Sequence, residues 1–228
     1  MKFLPINQLN LYGLHENLNE LVKLYKDIKL PNKIMLSGRK GIGKCTLAYH
    51  LINFILSENE EFSYNLDNYS INNKNKSFKL IQNKTHPNFH IIDVIPEKKM
   101  IDIFQIRNLI SNLNKSNFNS KPRIVLIDNI EFFNNNSVNS LLKILEEPPE
   151  NTYFILINNN KKILSTIKSR CINFNVSISY SQSIKIINQI LDDDIFNVLN
   201  NDLVNNYITP GFFIQIIKFS EEFNIDLK

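Results

Sequence analysis

The sequence predicts an α/β fold: a mostly parallel sheet with helices on both faces, followed by a small all-helical segment. Three observations carry this. The glycine-rich residues 37–46, SGRKGIGKCT, lie between a short apolar strand pattern and a helical one, the setting of a loop that wraps a phosphate chain. Apolar strand runs then alternate with helical periods, as parallel sheets require. From residue 181 onward only helical periods occur, through Ile184, Ile187, Ile190 and Leu191 and then Phe212, Phe213, Ile216 and Ile217. Residues 1–177 are therefore expected to form a phosphate-loop domain, and residues 178–228 a small helical lid.

The elements follow in order. Residues 9–30 carry Leu14, Leu18, Leu21 and Val22 at helical spacing before the stop at Pro31. Residues 34–36 form the strand that enters the loop, and Leu47, Ala48, Leu51, Ile52 and Ile55 line the helix that leaves it. Residues 57–87, polar and asparagine-rich, read as a loop with some helix. Residues 89–95 read as a second strand, and Ile103, Ile106, Ile110 and Leu113 as a helix face. RIVLID at 123–128 is a buried strand ending in a carboxylate, where open α/β sheets place their ligands. Val138, Leu141, Leu142 and Leu145 mark a helix that Pro148 and Pro149 end. A strand at 153–157, a short helix at 163–168 and a last strand at 172–176 complete the sheet.

Composition limits the function classes. With 228 residues, 43% hydrophobic and 21% charged, the chain can bury one or two ordinary cores, and no window approaches a membrane span. The start lacks an apolar signal region, so a cytoplasmic protein is expected. Cys45 and Cys171 lie far apart, which speaks against a structural disulfide, and two cysteines exclude a four-cysteine zinc site. His86 and His90 lack the companions a metal site needs. The net charge of +4 divides unevenly: 23 Lys+Arg against 15 Asp+Glu up to residue 177, and 3 against 7 beyond it. The basic excess reads either as a solvated surface or as a face toward nucleic acid.

The chemistry centres on the loop. Gly38, Gly41 and Gly43 free the backbone to turn its N–H groups inward, and Lys44 brings a cation to the phosphates. The next position normally supplies a hydroxyl to Mg²⁺, but here it is Cys45, and a thiol is a poor ligand for so hard an ion. Thr46 comes one place late and is expected to point elsewhere on the helix. Asp128 closes its strand, and the following Asn129 cannot take a proton from water, so hydrolysis in this site is expected to be very slow or absent. Glu131 reads as a solvated loop carboxylate. Arg170, where a short helix meets the last strand, could project from the surface toward a phosphate on another subunit.

SGRKGIGKCTLAYH at 37–50, RIVLIDNIEFFNNNSVNSLLKILEEPPENTYFIL at 123–156 and TIKSRC at 166–171 together resemble bacterial clamp-loader subunits of the AAA+ class, most closely those of the delta-prime type of DNA polymerase III. LYGLHENLNEL near the start and TPGFF at 209–213 extend the resemblance over most of the chain. It implies that Gly38, Gly41, Gly43, Lys44, Cys45, Thr46 and Asp128 form a nucleotide site, with Asn158 at the sensor-1 position. It implies that Arg170 is a finger presented to a neighbour's ATP. Phe212 stands where an ATPase member carries a sensor-2 arginine. The gamma/tau motor type keeps the loop hydroxyl, an acidic pair after the central strand and that arginine, all missing here. The resemblance therefore implies a non-hydrolysing stator, with the motor-type ATPase as the alternative. ATP or ADP held without turnover, no zinc module, and no collar domain within these residues are further implications. The implied partners are gamma/tau and delta subunits and, through the complex, the sliding clamp and primed DNA, with no membrane.

Overall fold

Five consecutive buried residues, Arg123–Ile127, make β3 a strand covered on both faces. The computed structural model describes residues 3–95, 97–116, 119–205 and 209–225. In it β3 pairs with β2 (Phe89–Ile92) on one side and β4 (Thr152–Asn158) on the other. β1 (Lys33–Ser37) pairs with β4 and with β5 (Ile172–Asn175). All four ladders are parallel, and the sheet order is β2-β3-β4-β1-β5.

Side-chain alternation sorts the strands onto two cores. Ile34, Leu36, Ile124, Leu126, Ile155 and Ile157 join α1 (His15–Lys26), α2 (Lys44–Leu56) and α3 (Lys76–Gln82) on one face. Met35, Val125, Ile127, Phe154 and Leu156 join α4 (Ile103–Leu113), α5 (Asn135–Glu146) and Ile167 of α6 (Ser165–Lys168) on the other. Capping boxes start α4 at Asp102 with Gln105 and α5 at Asn134 with Ser137, so donors that a helix cannot satisfy internally are met locally.

Beyond β5 the described elements are helical: α7 (Tyr180–Leu191), α8 (Ile195–Val198), α9 (Asn201–Asn205) and α10 (Pro210–Phe223). Ile187, Ile195, Leu199, Val204 and Phe213 give these helices a core of their own. Ile186 on α7 belongs instead to the sheet core, close enough to Gly13 that a Cβ there would lie 2.5 Å from its Cδ1. The segment expected at 178–228 includes residues 206–208 and 226–228, which lie outside the described ones. Among the described residues, no helix is long and apolar enough to cross a membrane.

Several boundaries differ from the sequence reading: α1 covers His15–Lys26, β1 and β4 each gain a residue at both ends, β2 stops at Ile92, β5 at Asn175, and α6 starts at Ser165. The larger correction is residues 57–87, which are more than a loop with some helix. Asn75 is fully buried; its carboxamide donates to Phe62 O (2.6 Å) and accepts from Phe78 N (2.6 Å) and Asn53 Nδ2 (3.1 Å). Ser77 Oγ donates to Glu60 Oε1 at 2.6 Å, and His86 Nε2 lies 3.2 Å from the same hydroxyl. His86 Nδ1 accepts from Asn88 N at 3.1 Å, which leaves the proton on Nε2 and makes this imidazole a donor to Ser77 rather than a base. His50 Nδ1 meets the Tyr64 hydroxyl at 2.8 Å.

Burial holds both histidines neutral, with their pKa values pushed down to about 4. The unfolded chain titrates near 6.5, so below that pH it binds protons that the fold refuses. Stability is thus intact above about pH 6.5 and lost as pH falls toward about 4. The urea midpoint should be lower at pH 5 than at pH 7, and in His86→Gln that difference should shrink only in part, because His50 and His90, which burial also pushes down, remain.

Candidate functional site

The chain leaves β1 through a narrow gap. Gly38 N donates to Asn158 O at 3.2 Å, and a Cβ on Gly38 would stand 2.3 Å from Val176 O and 2.7 Å from Ile42 Cδ1. No side chain fits there. Gly41 (φ 85°) and Gly43 (φ 95°) then turn the loop through left-handed conformations that glycine adopts freely. Gly43 is the N-cap of α2 and has no side chain with which to cap it, so the first-turn amides face the cleft at the positive end of the helix dipole.

Lys44 is only 3% exposed, and its Nζ donates to Gly38 O (2.8 Å) and Arg39 O (2.7 Å). Burial lowers its pKa to about 8, with Asp128 and Glu131 opposing the shift. At the next residue, burial and then Asp128 raise the Cys45 pKa well above its ordinary value. Cys45 is thus a neutral thiol close to Asp128. Asp128 is itself raised, first by burial and next by Asp93.

Carboxamides connect the acidic groups. Asn129 is left-handed (φ 55°), and its Nδ2 donates to Asp93 Oδ1 at 2.8 Å. Asn159 Nδ2 donates to Asn129 Oδ1 (3.0 Å) and Glu131 Oε1 (2.9 Å). Above this floor opens a cleft of 630 Å³, walled by Leu11 and Tyr12 near the start of the chain, Ile186 and Ile190 of α7, and Phe212 of α10.

Of the residues singled out from sequence, Gly41, Gly43, Lys44, Cys45 and Asp128 line this cleft. Four expectations change. Thr46 was expected to point away but is among the lining residues. Gly38 is beneath the cleft, where the Val176 carbonyl excludes a side chain. Asn158 is turned into the sheet edge, its Oδ1 accepting from Lys161 N at 3.3 Å, and Asn159 reaches the cleft in its place. Glu131 is no solvated carboxylate: the 3-10 turn Ile130–Phe132 curls it inward, and its Oε2 is buried. Sequence reasoning missed Asp93 and Asn159. Asp93 had a readable signal, since it extends the Ile92↔Ile127 register by one step to lie beside Asp128.

Arg170 lies elsewhere. β5 and β1 are parallel and pair Ile172 with Ile34, so Arg170 precedes the N-terminal end of β5 while the loop follows the C-terminal end of β1. Its guanidinium donates to Thr166 O at 2.8 Å and pairs with Glu146 at the end of α5.

A parallel sheet in this order, with a phosphate loop after β1 and a carboxylate after β3, defines an AAA+ phosphate-loop protein. The chain belongs to the family described as DNA polymerase III, delta subunit, which matches residues 13–179. It is 33% identical over 175 residues to the DNA polymerase III subunit delta' of Buchnera aphidicola subsp. Baizongia pistaciae, covering 74% of this chain and 51% of that one. It is 30% identical to the DNA polymerase III subunit gamma of Buchnera aphidicola subsp. Schizaphis graminum, over 77% of this chain and 43% of that one. The chain thus spans about half the length of the curated relatives it matches. A DNA polymerase III gamma subunit-related protein from Thermotoga maritima shares the fold, with a TM-score of 0.52 and 22% identity over 77% of this chain and 55% of that one.

Gly38→Ala tests the gap under Val176. The added methyl meets the fixed Val176 carbonyl as well as the movable Ile42 side chain, so the substitution should cost about 3 kcal/mol in urea unfolding. A loss below about 1 kcal/mol would mean that β1 can leave the sheet by another route.

Proposed function

We propose that this chain acts as a delta-prime-type subunit of a DNA polymerase III clamp loader, a stator that hydrolyses no ATP itself and presents Arg170 to ATP held by a neighbour. The observation that carries it is a neutral Cys45 thiol lining the cleft together with Asp128. In a working site of this architecture those two positions supply oxygen to Mg²⁺. Here one of them is sulfur, which in place of a hydroxyl suits Mg²⁺ badly. Asn129 gives no general base, and its carboxamide is held by Asp93 and Asn159.

A nucleotide still fits the cleft, though Mg²⁺ does not. The uncapped amides of the first α2 turn and the Lys44 ammonium suit a phosphate chain, and the apolar walls suit a base. ATP or ADP bound in this way would contribute charge and shape, not turnover. Lys44 would have to exchange its two loop carbonyls for phosphate oxygens.

Two features support the role of Arg170 in trans. It stands at the end of the sheet opposite its own loop, and Thr166 O and Glu146 use two of its five N–H donors. The partners on this reading are gamma/tau and delta subunits, with the sliding clamp and primed DNA engaged through the complex. The gamma-type relative keeps a motor ATPase as the second reading, and Cys45 and Asn129 both count against it.

Two measurements separate these readings. In a reconstituted loader, Arg170→Ala should lower DNA-stimulated ATP turnover by roughly tenfold or more, and unchanged turnover would remove the trans role. The isolated chain should show no turnover that depends on Lys44, and its affinity for ADP should change by less than about threefold when Mg²⁺ is added. Robust turnover abolished by Lys44→Ala would transfer the chain to the motor type.

A further inference from the structure

The phosphate loop has a second face, formed by its carbonyls, and α10 is seated on it. Gly211 N donates to Gly41 O at 2.8 Å, and Thr209 Oγ1 donates to Lys40 O at 2.9 Å. The approach is close because both chains lack a side chain at the contact. A Cβ on Gly211 would stand 2.8 Å from Gly41 Cα, and one on Gly41 would stand 2.3 Å from Thr209 Oγ1. Thr209 is the N-cap of α10, and Pro210, in the first turn, has no N–H. The Gly211 amide is therefore the first donor that α10 can offer, and it goes to the loop.

This contact differs in kind from the apolar packing of α7, whose Ile186 and Ile190 join the sheet core. Ile186 against Gly13 is apolar and indifferent to direction. Two hydrogen bonds to successive carbonyls fix an orientation, because each weakens steeply when its angle departs from linear. The loop is also held from within, where Lys44 ties Gly38 O and Arg39 O. The carbonyls of residues 38–41 are thus all engaged, two by the lysine and two by α10.

We propose that the phosphate loop and the turn at residues 209–212 form a latch that locks the C-terminal helices onto the sheet. The latch rests on this chain's own contacts, one from a main-chain amide and one from a threonine hydroxyl, and not on the clamp-loader reading. It gives Gly41 a task apart from phosphate binding, since any side chain there would force Thr209 away.

Hydrogen exchange and small-angle scattering on the full chain test this. Thr209→Val removes one bond at nearly constant volume, and the amides of residues 211–215 should then exchange about tenfold faster, the factor for one hydrogen bond of ordinary net strength. Gly211→Val should open the joint outright, raising the radius of gyration while the circular dichroism of the helices and sheet stays intact. Should Gly211→Val fail to fold, the exchange rates of Thr209→Val decide alone. Exchange at residues 211–215 equal to that of the unaltered chain in Thr209→Val would overturn the latch. So would an unchanged radius of gyration in a folded Gly211→Val.

Discussion

The contact on which the upper edge of the sheet depends is the passage of Gly38 beneath the Val176 carbonyl. β1 lies between β4 and β5, and the chain must leave it between two occupied neighbours. Val176 N donates to Ser37 O at 2.8 Å, so β5 stays close to β1 up to the point where the loop departs. That closeness forces glycine at 38 and directs the loop back over the strand ends. α2 then begins directly above Asp128, and Lys44 is buried because it starts there.

The electrostatics of the cleft floor follow from that position. Asp128 and Glu131 act on one buried ammonium and Asp93 acts on Asp128, so the floor carries more acid than base. Burial favours neutral forms, and Asp128 responds with a raised pKa. Carboxamides meet part of the remaining demand, Asn129 donating to Asp93 and Asn159 to Glu131. A hydroxyl at position 45 would give a hard oxygen ligand and a glutamate at 129 a base. The residues present supply a soft thiol in place of the first and an amide that cannot take a proton in place of the second.

The strands and the loop were legible because burial on both faces writes apolar runs into sequence, and a phosphate loop has fixed spacing. Residues 57–87 hid their order because single polar side chains hold them: Asn75, Ser77 and His86 each bond several segments, and no periodicity records that. Asn159 rather than Asn158 lines the cleft, and the sequence hid this because β4 ends inside a row of three asparagines, 158–160. Only the strand phase decides which of them turns toward the cleft. Glu131 was misread for a similar reason, since the left-handed Asn129 that redirects it has no hydrophobic signature. The partner of Arg170 was equally hidden, because Glu146 and Glu147 are adjacent and only the end of α5 selects between them.

The joint at the loop bears on the proposed stator role. A ligand shifts a conformational equilibrium only as far as its affinities for the two states differ. With Gly41 O and Lys40 O already bound to α10, and Gly38 O and Arg39 O to Lys44, the loop's contact with the C-terminal helices is made by residues that are always present. A phosphate would meet the loop on its amide side, opposite these carbonyls, and would have little leverage on the angle between helices and sheet. Arg170 is tied into the same body, because Ile172↔Ile34 and Asn175↔Ser37 are rungs of the one β1–β5 ladder. The position of the arginine relative to the helices is therefore set through the β1–β5 ladder, the phosphate loop and the bonds from residues 209–211 to that loop. On the proposed reading, a subunit that holds its shape in this way offers a fixed arginine to a partner that changes shape, which is the division of labour that a stator requires.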